Sequence, residues 1–184
     1  MRENDSDKEI IINIICYILC CGIAGLCLTL MKTPSDAALK ILLAPYAKAV
    51  EVYYNIEMTY IEGLGYTSAG LQFVVGENCS GVSYIAIVFC MMICMFLHRF
   101  RGRQKIMWIL INVPVAAALG IFTTCLRILG SVPIAGYARF STIHAGIGIS
   151  FYLAGMIACL LTAEKATSKY QNTIREGVAR FDKK

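Results

Sequence analysis

At 184 residues the chain has the length of one domain, but 58% hydrophobic content, a mean hydropathy of +0.64 and only 16% charged residues exclude an ordinary soluble domain. The net charge of +5 comes from short basic blocks beside apolar runs, where cations set membrane orientation, so a nucleic-acid partner is not expected. Eight of the nine cysteines (Cys16, Cys20, Cys21, Cys27, Cys90, Cys94, Cys125, Cys159) lie inside those runs as small apolar-core residues. No CxxC occurs and the two histidines are far apart, so no metal ligand set and no cofactor is implied.

Met1 to Glu9 (MRENDSDKE) is polar and is expected to be disordered. Ile10 to Met31 gives 22 residues without a charge, where ~20 cross a bilayer as helix. A cleavable signal carries an apolar stretch of only about 7–15 residues, so this run reads as a retained first span. Lys32-Thr33-Pro34-Ser35-Asp36 then breaks the chain and starts a helix. From Ala37 to Glu62, Leu39, Ile41, Leu42, Leu43, Tyr53, Tyr54 and Tyr60 mix with Lys40, Lys48, Glu51, Glu57 and Glu62. That mixture fits an amphipathic helix, either lying at the membrane interface or solvated outside it, ended by Gly63-Leu64-Gly65. Leu71 to Val75 is β-prone and reads as an extended hairpin arm or a re-entrant piece.

Spans two, three and four are expected at about 80–97, 106–126 and 143–162. Pro114 kinks the third, Arg127 terminates it, and Gly130, Pro133 and Gly136 mark an irregular loop before the fourth. The tail from Glu164 to Lys184 reads as a polar helix. With both termini in the cytoplasm, twelve Lys and Arg residues fall inside and five (Lys32, Lys40, Lys48, Arg127, Arg139) outside. The expected fold class is therefore an all-α integral membrane protein: a single polytopic domain in the cell membrane with four transmembrane helices, an extracytoplasmic interfacial amphipathic helix and a short extended segment.

In this topology three polar residues meet at the outer membrane edge: Cys79 entering span two, Arg127 leaving span three and His144 entering span four. Singly, each has a bland reading as a packing thiol, a snorkelling cation and an interfacial imidazole. Together they suit thiol chemistry. Imidazole, with an ordinary pKa of ~6.5, takes the thiol proton near neutral pH, and a cation favours thiolate and holds an oxyanion. Glu77, Asn78 and Ser80 flank the thiol, and helical spacing puts Ser83 and Ala86 below it, Thr124, Thr123 and Gly120 on the face of Arg127, and Gly148 and Phe151 below His144. Glu77, Asn78, Ser80, Ser83, Thr124 and Gly148 are thus candidate substrate-binding residues.

Cys79-Ser80-Gly81 before a span, Leu126-Arg127-Ile128 at the end of the next and His144-x-x-x-Gly148-x-x-Phe151 opening the last together resemble the exosortase/archaeosortase family of membrane transpeptidases. The similarity covers roughly Leu42 to Leu161 and is closest to a compact, exosortase K-like form. Where many members carry Asn three residues before the Arg, this chain carries Thr124, whose hydroxyl offers a similar hydrogen bond. The resemblance implies catalysis by Cys79, Arg127 and His144 through a thioester. It implies as substrates secreted proteins with a C-terminal motif, one transmembrane helix and a basic cluster. A non-enzymatic membrane component that binds an anionic partner through Arg127 and His144 is the alternative, and a redox thiol carrier a third reading, disfavoured by the lone outer cysteine.

Overall fold

The computed structural model describes the backbone of residues 2–31, 34–68, 71–134 and 140–181. In chain order it forms helices α1 (Arg2–Leu30) and α2 (Asp36–Tyr54), strands β1 (Thr59–Ile61), β2 (Gly65–Ser68) and β3 (Leu71–Val75), and helices α3 (Val82–Phe96), α4 (Arg103–Ser131) and α5 (Phe140–Phe181). A short 3-10 turn at Glu77–Cys79 precedes α3, and another at Leu97–Arg99 follows it directly. Segments of α1, α3 with its turns, α4 and α5 are long and apolar enough to cross a membrane. Lys32, Gly136 and Arg139, used in the sequence reading, lie outside the described residues, as do residues 182–184.

The polar start expected to be disordered is instead the beginning of α1. Glu9 of this helix pairs with Lys105 of α4, which is only 3% exposed. At α2 the Ser35 hydroxyl accepts the Ala38 N–H at 3.4 Å as an N-cap. Leu39, Leu43, Tyr46, Ala47 and Val50 recur every three or four residues and are buried against α4 and the strands. Ile41, Val52 and Tyr53 on the same helix are exposed.

Two expectations fail between residues 54 and 75. The amphipathic helix ends at Tyr54 and not near Glu62, because Asn55 adopts the left-handed conformation (φ 53°) that closes helices and the β-prone Thr59-Tyr60-Ile61 follows. Gly63 to Gly65 is therefore a hairpin turn. The strands form an antiparallel sheet in the order β1-β2-β3, with Tyr60 opposite Tyr66 and Tyr66 opposite Val75. The fold is mostly helical with this small sheet added, and β3 takes the place of the re-entrant alternative.

α4 runs through Pro114 and continues past Arg127 to Ser131, so Arg127 does not terminate the helix. Ile128 and Ser131, both buried, keep that last turn packed, while Arg127 is satisfied sideways by neighbouring side chains. α5 begins three residues earlier than expected and makes span four and the tail one uninterrupted helix. Three apolar clusters hold the elements together: one under α2 and the sheet, one among α3, α4 and α5, and one where Cys16, Tyr17 and Cys20 of α1 meet Ile93, Leu97, Trp108 and Ile109. The sheet and α2 mark one end of the bundle, and the Arg99 to Lys105 segment marks the other, basic end.

Candidate functional site

The turn that carries the thiol is fixed by its backbone. The Cys79 N–H donates to Gly76 O at 2.9 Å and the Ser80 N–H to Glu77 O at 3.0 Å. Gly81 then takes φ +70°, and a Cβ there would collide with Thr124 Oγ1 and lie 3.3 Å from Tyr46 Oη. Glycine lets the chain reverse into α3 this close to α4. Because this left-handed residue separates the turn from the helix, Cys79 is out of register with α3, and Ser83 and Ala86 do not sit below it as expected. From α2, Tyr46 Oη donates to Ser80 O at 2.8 Å. Burial pushes this phenol up to about 12, so it remains a donor throughout the physiological range.

Cys79 is 8% exposed and packs in the apolar cluster that contains Tyr46, Ile128 and Val132. Its neighbours Glu77, Asn78 and Ser80 open instead onto a cleft of about 340 Å³, together with Ser83, Arg127 and Tyr152 and walled by Leu28 and Met31 of α1. The thiol thus lies behind the cleft wall.

Arg127 and His144 meet directly. Arg127 Nη2 lies 2.8 Å from His144 Nε2, and Nη1 donates to Tyr152 Oη at 2.9 Å. A guanidinium N–H only donates, so Nε2 of His144 is the acceptor and the ring proton sits on Nδ1. Nδ1 lies 2.7 Å from Ser131 Oγ, which donates its own proton to Arg127 O at 2.7 Å. The histidine is neutral in this circuit, and the buried Nε of Arg127 is left without a hydrogen-bond partner. Thr124, fully buried, lies 3.4 Å from Tyr152 Oη, and its hydroxyl and the Tyr46 phenol both crowd the position a Cβ would take at Gly81. Tyr152 is further fixed by stacking on Tyr84 at 4.2 Å. Gly148 leaves room for Arg127, since a Cβ there would lie 3.0 Å from its Cδ and Nε.

The structure therefore brings Arg127, His144, Thr124 and Gly148 together, lines a cleft with Glu77, Asn78, Ser80 and Ser83, and keeps Cys79 buried beside both. Phe151 is not part of the group; it faces Gly130 on the neighbouring helix. Tyr152, Ser131 and Tyr46 are the residues that sequence reasoning missed. The step of four from His144 through Gly148 leads to Tyr152, and the same step from Arg127 leads to Ser131, so helical spacing held that signal. No protein-family model matches the chain, and neither does any curated protein or solved structure.

The group thus combines a neutral imidazole that accepts at Nε2 with a cation that has no carboxylate partner among the described residues, and Arg127 shares the cleft with the residues on either side of Cys79. In the resting arrangement Nε2 is already engaged by Arg127.

Proposed function

We propose that this chain is a membrane-embedded cysteine transpeptidase or protease of exosortase type, cleaving a C-terminal sorting signal of secreted proteins on the extracytoplasmic side of the cell membrane. The observation that carries this reading is the 2.8 Å contact between Arg127 and a neutral His144 beside the Cys79 turn. An arriving peptide carbonyl draws the Arg127 guanidinium, which releases Nε2 of His144 to take the proton of Cys79. The thiolate attacks the carbonyl carbon, and Arg127 stabilises the oxyanion. Collapse breaks the C–N bond, His144 returns its proton to the leaving amine, and a thioester remains on Cys79. An acceptor amine or water then gives its proton to His144, attacks the thioester and restores the thiol. The cleft walls limit access of bulk water, which favours transfer over hydrolysis.

The test is intact mass of the protein from its native membrane before and after neutral hydroxylamine, with Cys79→Ala alongside. A peptide-sized adduct that hydroxylamine removes and the variant lacks supports the acyl-enzyme. The lack of an ion pair at Arg127 among the described residues favours one second reading, a binding component for an anionic partner. That reading predicts no adduct, full cellular function of Cys79→Ala and loss of function in Arg127→Ala.

A further inference from the structure

At the basic end, away from the candidate site, a groove runs between α4 and α5. Two cavities of about 190 Å³ and 390 Å³ share Trp108, Ile111 and Ala166 and so form one continuous channel. Its α4 wall is the stripe Gln104, Trp108, Ile111, Val115 and Leu119. Its α5 wall is Ala158, Thr162 and Ala166, ending at Tyr170. The small α5 residues face large α4 residues, and that mismatch creates the space. Phe100 stacks on Trp108 at 4.8 Å and lies 6.0 Å from Tyr170, which closes the mouth with aromatic rings.

Two features identify the occupant. At 1.5 Å per residue, the fifteen steps from Gln104 to Leu119 cover roughly 22 Å. That is about half of a bilayer measured through its headgroups, ~40–45 Å, so the groove has the depth of one leaflet; a partner's transmembrane helix needs a groove through both. The mouth is also positively charged. Arg103 stands one helical turn before the groove-lining Met107 and Lys169 three residues after the groove-lining Ala166; both are exposed and make no ion pair with a described residue, whereas Arg99 is paired with Glu164 and Lys105 with Glu9.

We propose that this groove holds one anionic phospholipid, with an acyl chain along Trp108, Ile111 and Val115 and its phosphate between Arg103 and Lys169. The site is independent of the reaction assigned to Cys79. Each cation near a membrane surface contributes roughly a fivefold preference for an anionic headgroup, so two give roughly 30-fold.

The experiment is native mass spectrometry of the full chain in mild detergent, mixed with equal amounts of dioleoyl phosphatidylglycerol and dioleoyl phosphatidylcholine. One retained phosphatidylglycerol, favoured by roughly 30-fold, is the expected result. Arg103→Gln with Lys169→Gln should bring the two lipids to equal retention. Ala166→Phe, an outward-facing position where a ring fills the groove, should reduce retention of both. Equal retention of the two lipids by the unmodified protein overturns the proposal. So does a protein that retains lipid as well after Ala166→Phe as before, or one that appears as a lipid-free dimer, which makes the groove a contact between copies.

Discussion

Arg127→Lys separates charge from geometry. Arg127 directs two donors of one planar group at two partners, Tyr152 Oη at 2.9 Å and His144 Nε2 at 2.8 Å. A lysine keeps the charge but presents it as a compact point on a flexible stem, which serves one of the two. Loss of one charged hydrogen bond costs about 1.5–3 kcal/mol, and at 1.36 kcal/mol per factor of ten the proposed reaction should slow by about 10- to 150-fold. The assay is the rate at which the hydroxylamine-sensitive adduct accumulates on newly made protein in its native membrane. A melting curve in detergent, run in parallel, shows whether the variant keeps its fold. If Arg127→Lys forms adduct at the native rate while Arg127→Gln forms none, charge alone suffices and the forked geometry has no role in the chemistry.

Other consequences of the structure are open to measurement. Nitrogen NMR of labelled histidine, with exposed His98 as internal reference, should find the Nδ1–H form at His144. Ser131→Ala should reduce that form, because an acceptor worth about 0.5–1.5 kcal/mol is removed; a native spectrum dominated by Nε2–H contradicts the circuit. Gly81→Ala should lower the melting temperature, since the left-handed backbone costs an alanine about 1–2 kcal/mol before the collision with Thr124 is counted. An unchanged melting temperature would mean that the turn before α3 is not as tight as described. Glu51 accepts from Lys48 Nζ at 3.0 Å and from the Met58 N–H at 3.1 Å, and these bonds hold its carboxyl below the usual carboxylate range. Its contribution to stability is present above the ordinary carboxylate pKa and is lost as pH falls through the depressed one. Glu51→Gln should therefore flatten the acid limb of the melting profile, and an identical acid limb would show that these bonds do not link α2 to the segment before β1.

The four apolar helices were legible because runs such as Ile10 to Met31 carry no charge, a signal that depends on composition alone. Arg127 and His144 were legible for a related reason, since an ionisable residue beside an apolar run needs an explanation. The boundary at Asn55 was not. Five charges distributed over residues 37–62 gave the appearance of one amphipathic helix, and the stop depends on a single residue in left-handed geometry. The burial of Cys79 was equally hidden. Ser80 and Gly81 beside it suggest an open polar turn, and only the packing of α2 through Leu43, Tyr46 and Val50 over that turn covers the thiol. Spacing led from His144 through Gly148 to Phe151, and it takes the bond from Arg127 to show that the neighbouring Tyr152 is the residue that joins the group.

α5 has one further property, which follows from its continuity. Its 42 residues form a rod of roughly 63 Å at 1.5 Å per residue, about twice the ~30 Å hydrocarbon thickness of a bilayer. His144 and Tyr152 stand toward one end of that rod, and about half of its length is in excess of such a hydrocarbon layer. A tilt of about 5° around its midpoint moves His144 by roughly 2 Å, which is enough to break the bond to Arg127. A force that tilted the far arm of α5 would therefore be felt as a change in the distance between Arg127 and the neutral His144.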